Sequence, residues 1–314
     1  MLRIGFIGSF AQSFAHAEIL IKVPGVEIAG FFDPLQNTEQ ENVNSVFIKK
    51  FVSVDELIQS ADAFDFVCRC QQCFDIAQKA LKQTKHLFIN PSMLKNRQQA
   101  IHLINLASEA NVTLMVERSV RFHAALNAAL PHLNNVRLIE MHNHFSDKED
   151  NSYESILQAI ITNIEIVNAV IRTNVKSLKT CGIKMVNGNP DVINVRIEFD
   201  NGCVANLNCS RITSDNSHYG LFTQQDRITK INFLNNEITI IRPEKVDKAI
   251  SGKVAFLPVT RKVVSNNPML DELLSFIFSI QNNSKLVSKS EDGFRSLYLA
   301  DKIMDSLNKV HAGN

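Results

Sequence analysis

From residue 2 to about 122, short apolar runs alternate with amphipathic stretches, the pattern of buried parallel strands joined by right-handed helical crossovers. It predicts strands at 2–7, 26–32, 65–69, 86–89 and 113–116, with helices near 13–22, 54–60, 74–83 and 97–110. Beyond Phe122 the runs lengthen and become β-rich, at about 136–145, 175–185, 191–200, 203–211, 227–233, 236–242 and 254–265, with turn signals such as Asn201-Gly202 and Asn235 between them. Helices are expected at 153–172, 269–281 and 291–310, the last opened by a capping box, Ser288-Lys289-Ser290-Glu291. The expected architecture is an α/β domain over residues 1–122 with a doubly wound parallel sheet, followed over 123–314 by an α+β domain with a large, mostly antiparallel sheet.

Length agrees with that division, since 314 residues suit two domains of about 100–200 residues each. With 45% hydrophobic residues, 21% charged, and 33 Lys+Arg against 32 Asp+Glu, the chain has no field that would draw it to nucleic acid. No apolar run approaches a membrane span, and the start MLRIGFIGSF reads as a strand rather than a leader. Six cysteines, half of them at Cys68, Cys70 and Cys73, do not make a secreted disulfide framework, so a cytoplasmic location is expected. The Cys68-x-Cys70-x-x-Cys73 spacing looks like part of a zinc or iron-sulfur site. Only three thiols are near in sequence, however, and Cys181, Cys203 and Cys209 lie in strands of the other domain, so no metal is expected.

The first strand runs into Gly8-Ser9-Phe10-Ala11-Gln12-Ser13 and then a helix, the place of a dinucleotide fingerprint. That fingerprint needs one glycine for the tight turn, a second for backbone approach to the pyrophosphate, and a third for close helix packing. Only Gly8 is present; Phe10 puts a benzyl group where the phosphate should approach. Asp33 ends the second strand about 20 residues on, where an acid recognises a ribose and favours NAD over NADP. The alternative is that Asp33 caps the following turn and the Gly8 loop is a plain connection.

With these features in place, the whole chain from Leu2 to about Leu307 resembles the glucose-fructose oxidoreductase, inositol dehydrogenase and MocA (Gfo/Idh/MocA) family. Besides the loop and Asp33, residues 77–89 resemble its crossover helix and strand, and Arg121-Phe122 resembles the pair that closes its Rossmann domain. The run Ile197 to Leu207 followed by Ser210-Arg211 resembles its second-domain hairpin, and Asp271-Glu272-Leu273 with Glu291 to Arg295 resembles its closing helices. The resemblance implies reversible hydride transfer between a nicotinamide ring and a carbinol carbon, often of a sugar, cyclitol or nucleotide sugar. It places a cofactor on Gly8, Ser9, Phe10, Asp33, Arg69, Asn90 and Arg121.

At the positions that carry the family's lysine, aspartate and histidine, this chain has Pro91, Gln158 and Thr162. Proline cannot titrate, and neither Gln nor Thr exchanges a proton near neutral pH, although Gln158, Thr162 and Glu165 share one helix face. The family's Thr-Pro and following His are replaced by Cys68-Arg69 and Cys73, and a small residue by Glu117. His16 matches a family histidine and reads as a packing or helix-start feature. Glu117, Arg118, Arg121 and His123 form either a salt-bridged hinge or a relocated proton donor, His123 being the natural one. The reading that follows is a diverged member that binds NAD weakly or not at all and keeps a sugar- or nucleotide-sugar-binding role. Its alternatives are a working reductase with a relocated donor and a non-catalytic oligomer partner, with a homodimer or larger assembly expected from the second sheet's uncovered face.

Overall fold

A computed structural model of the chain describes residues 1–35, 48–68, 70–146, 153–185, 189–245, 254–283 and 287–311. In chain order the first elements are β1 (Leu2–Ile7), α1 (Phe10–Leu20), β2 (Val26–Phe32), α2 (Val54–Ser60), β3 (Ala63–Phe66), α3 (Gln71–Lys82), β4 (His86–Ile89), α4 (Arg97–Glu109) and β5 (Leu114–Val116). They are followed by α5 (Ala124–Ala129), β6 (Leu138–Ser146), α6 (Tyr153–Val170), β7 (Val175–Ile183), β8 (Val192–Phe199), β9 (Val204–Ser210) and β10 (Ile212–Thr223). The last are β11 (Ile228–Asn232), β12 (Glu237–Lys245), β13 (Val254–Lys262), α7 (Pro268–Gln281) and α8 (Val287–His311). Two compact units result: Met1–Arg118 with Met269–Tyr298, and Ser119–Pro268 with Leu299–Asn314.

In the first unit a parallel sheet runs β2-β1-β3-β4-β5. Its central strands are largely buried on both faces, which is why they read as mostly apolar runs: Ile4, Phe6, Ile7, Phe64 and Phe66 are all at most 1% exposed. The helices cover the faces with apolar stripes, Cys73, Phe74, Ala77, Ala80 and Leu81 on α3 being buried at helical spacing. Side chains fix two of the helix starts: Ser53 Oγ accepts from the Asp55 amide and Asn96 Oδ1 from the Gln99 amide at 3.0 Å. Helix α7 belongs to this unit, with Phe276 tilted against Phe88 at 5.6 Å and the buried Glu272 carboxylate accepting from the Arg118 amide.

The second unit holds an eight-stranded sheet, β13-β12-β11-β10-β6-β9-β8-β7. Only β6 and β9 pair parallel; the other neighbours are antiparallel. Helix α6 packs on β6 and β9 through Ile156, Ile160, Ile164 and Val167, each at most 1% exposed. Strand alternation then puts Asn194, Asn208, His142 and Tyr219 in one row on the opposite face, beside a second row of Arg196, Asn206, Glu140 and Leu221. Among the described residues no helix is long and apolar enough to cross a membrane.

Several elements differ from the sequence expectation. Strand β10 was not expected, because its first half, Ile212 to Ser217, is mostly polar and shows no alternation. Strand β3 ends at Phe66 instead of running to residue 69, since the Val67 and Cys68 amides turn back to the Ile7 carbonyl. Helix α1 starts at Phe10 and α3 at Gln71, each three residues early. Helix α8 begins at Val287, so Ser288 lies inside its first turn and not at its cap.

Candidate functional site

Strand β1 lies between β2 and β3, so the chain leaves it toward opposite edges of the sheet, and ligands of such sheets bind at the carboxyl ends of those strands. Gly8 makes the turn there with φ at +150°, its amide donating to the Phe32 carbonyl at 2.9 Å. A Cβ on Gly8 would lie 2.6 Å from Val67 Cγ2 and 3.2 Å from the Cys68 nitrogen, so the turn needs glycine for both conformation and contact. Ser9 is the N-cap of α1 but makes no side-chain cap; its Oγ lies 3.2 Å from Gln12 Oε1. Backbone amides at the start of α1 therefore suit an anion.

The side chains around this turn are less accommodating. Phe10 stacks on Phe14 at 5.7 Å and meets Phe31 of β2 edge-on at 5.5 Å, so its ring is held between the first turn of α1 and the second strand. Asp33 is 6% exposed and its Oδ1 accepts from the Leu35 amide at 2.9 Å, the turn-capping alternative. Arg69 lies outside the described residues. The backbone of the turn suits a pyrophosphate, while the Phe10 ring lies against Phe14 and Phe31 and one Asp33 oxygen is taken up by the Leu35 amide.

At the end of β4, Pro91 is buried as the first residue of a 3-10 turn, Pro91–Met93, with trans peptide geometry and an extended Asn90 before it. Asn90 Oδ1 accepts from the Ser92 amide at 2.9 Å and its Nδ2 donates to Glu117 Oε2 at 2.8 Å. Glu117 thus fills a place the family gives to a small residue and takes up the amide of Asn90. No amine stands where the family's lysine would be.

A buried ion pair in this unit went unseen in the sequence. His16 Nδ1 on α1 lies 2.7 Å from Asp65 Oδ2 in the middle of β3, with Asp65 2% exposed. Burial opposes the imidazolium, but Asp65, by charge and hydrogen bond, with Glu117 adding to it, raises His16 to about 9. A carboxylate inside the apolar run Phe64 to Val67 was the available signal, because a buried charge needs a partner. With the folded pKa above the ordinary 6.5, the pair's contribution is complete below about pH 6.5 and is lost as pH rises through about 9. We expect about 2–3 kcal/mol of stability to disappear across that window, and His16→Gln to flatten the profile, measured by urea unfolding at pH 6 and pH 9.5.

In the second unit, Gln158 on α6 is exposed, and Thr162 Oγ1 donates to the Gln158 carbonyl at 2.9 Å, spending its hydroxyl on its own helix. Glu165, next on that face, is 6% exposed. Beside them lies a network that sequence reasoning missed: His218 Nε2 meets Asn163 Oδ1 at 3.2 Å, and Asn163 Nδ2 donates to Cys209 Sγ at 3.2 Å. Burial, helped by His123, pushes His218 down to about 4. Arg121 sits in the 3-10 turn Ser119–Phe122. His123 follows it, donating from Nε2 to the Phe233 carbonyl at 3.0 Å with its ring edge-on to Phe233 at 5.3 Å. Burial lowers its pKa, so at neutral pH it is a neutral imidazole, and Nδ1 is buried without a hydrogen-bond partner among the described residues.

A doubly wound parallel sheet carrying a glycine turn, with a second unit built on a large mixed sheet, defines a Rossmann-type two-unit fold. Residues 2–118 match the family model GFO_IDH_MocA, described as "Oxidoreductase family, NAD-binding Rossmann fold". A curated relative, the UDP-N-acetylglucosamine 3-dehydrogenase of Acidithiobacillus ferrooxidans, is 24% identical over 246 residues, 76% of each chain. A solved structure of that enzyme superposes with a TM-score of 0.86 at 22% identity, covering 98% of this chain and 97% of the other. GenD2 from gentamicin A biosynthesis, solved in complex with NAD, superposes with a TM-score of 0.79 at 11% identity, covering 98% and 94%.

Proposed function

We propose that this chain is a diverged oxidoreductase-family protein that has lost the usual hydride-transfer chemistry and retains a role in binding a sugar or nucleotide sugar. The observation that carries the reading is the buried, untitratable Pro91 at the lysine position, joined by the exposed Gln158 and the back-bonded Thr162. The likeness to a UDP-N-acetylglucosamine dehydrogenase favours a UDP-linked amino sugar as ligand. Nicotinamide dinucleotide binds weakly or not at all, because the Phe10 ring is anchored at the turn.

Calorimetry tests this directly. UDP-N-acetylglucosamine should bind, NADH should give no micromolar affinity, and Phe10→Gly should tighten NADH by about 1–2 kcal/mol, roughly 5- to 30-fold, as approach to the loop amides is restored. Micromolar NADH affinity in the unmodified protein would overturn the reading. It would favour a second one, an active reductase, for which the Nδ1 of neutral His123, buried without a hydrogen-bond partner among the described residues, is the specific support.

A further inference from the structure

The turn from β3 into α3 brings three sulfurs together. Cys68 and Cys73, 6% and 0% exposed, are joined in a disulfide, while Cys70, the half-exposed N-cap of α3, is a free thiol. Cys70 Sγ lies 3.0 Å from Cys73 Sγ, and all three sulfur atoms fall within 4.8 Å of one another. The cluster adjoins the nucleotide turn: the Cys68 amide donates to the Ile7 carbonyl at 3.2 Å, and its nitrogen is among the atoms a Gly8 side chain would strike.

We propose that Cys68, Cys70 and Cys73 form a thiol–disulfide exchange site in which the half-exposed Cys70 gives low-molecular-weight thiols access to a disulfide they cannot reach directly. Internally, the Cys70 thiolate attacks Cys73 Sγ; the Cys70–Cys73 bond forms, the Cys68–Cys73 bond breaks, and Cys68 leaves as a thiolate that takes up the proton. That step is an isomerisation with no net oxidation. An external thiol then attacks Cys70 Sγ, forming a mixed disulfide and releasing Cys73. A second external thiol displaces the first as its disulfide, leaving three protein thiols and one oxidised small-molecule disulfide.

Burial explains why the other cysteines stay out of this chemistry. Cys203 and Cys209 are buried, and burial pushes their thiols up to about 11 and about 12, far from the thiolate form at neutral pH. Cys181 is exposed but lies in β7, in the other unit. Because Cys68 is tied to the end of β1, the redox state of this cluster is built into the wall of the Gly8 turn.

The full-length protein, isolated without reductant and treated with N-ethylmaleimide, can be mapped by peptide mass, since trypsin cuts at Arg69 between Cys68 and Cys70. Both isomers should appear: a cross-linked Cys68–Cys73 pair with Cys70 alkylated, and an internal Cys70–Cys73 disulfide with Cys68 alkylated. Reduction by glutathione at pH 7 should be slower in Cys70→Ser by about tenfold or more, with Cys181→Ser unchanged. Equal rates in the unmodified protein and Cys70→Ser would overturn the proposal. So would three alkylated thiols after equilibration with oxidised glutathione, or a stoichiometric zinc or copper(I) ion held by three thiolates in the isolated protein.

Discussion

Asp191→Ala is expected to cost about 3–5 kcal/mol, because it leaves the Arg211 guanidinium buried without its carboxylate. Asp191 and Arg211 are 0% and 2% exposed, with Nη2 and Oδ1 2.7 Å apart. The backbone repeats the link: the Arg211 amide donates to the Asp191 carbonyl at 3.0 Å and the Asp191 amide to the Ile183 carbonyl at 2.8 Å. A second Asp191 oxygen accepts from the Met185 amide. The pair therefore joins the end of β7, the start of β8 and the β9–β10 junction, where three strand ends would otherwise separate. Asp191→Ala and Arg211→Ala should each shift the urea midpoint strongly at unchanged slope. Asp191→Leu with Arg211→Met should recover much of the loss, since an apolar pair avoids desolvating two charges. A loss under about 1 kcal/mol in the single variants would show that water reaches the pair, which its burial argues against.

Arg211 was visible in the sequence as part of the Ser210-Arg211 motif, but its partner twenty residues earlier was not. The same limit separates what was legible from what was not across the molecule. Parallel strands such as β1 and β2 announce themselves through short, mostly apolar runs broken only by the exposed Arg3 and Glu27, and Gly8 and Asp33 sit at their ends as the spacing required. Strand β10 did not, because pairing with β6 and β11 supplies its order while its first six residues carry no pattern of their own. Networks that close across distant segments are likewise silent in one dimension. His16 with Asp65 spans 49 residues, Asn90 with Glu117 27, and His218 with Asn163 55. The three cysteines were legible as a cluster, but the burial that separates a hidden disulfide from a reachable thiol was not.

With NAD or NADP and any sugar, cyclitol or nucleotide sugar, the unmodified protein is expected to show no detectable turnover. A placed general acid or base contributes about 10²–10⁴ in rate, roughly 3–5 kcal/mol of barrier, and Pro91, Gln158 and Thr162 supply none of it. Thr162 is further engaged by its bond to the Gln158 carbonyl, and Pro91 is buried as the first residue of a 3-10 turn. Pro91→Lys, Gln158→Asp and Thr162→His together should therefore remain inactive. Adding Phe10→Gly is the minimum change that could yield measurable reduction, because reacting atoms must be held within about 3–3.5 Å before proton transfer matters. The assay that decides is a cofactor absorbance screen over UDP-linked sugars and free polyols, run beside His123→Ala. Turnover by the unmodified protein that disappears in His123→Ala would place the proton transfer on that neutral imidazole, whose Nε2 is fixed on the Phe233 carbonyl and whose Nδ1 has no partner among the described residues. Turnover indifferent to His123 would instead require another donor, such as Arg118 or a bound water, and would overturn the loss of chemistry argued from positions 91, 158 and 162.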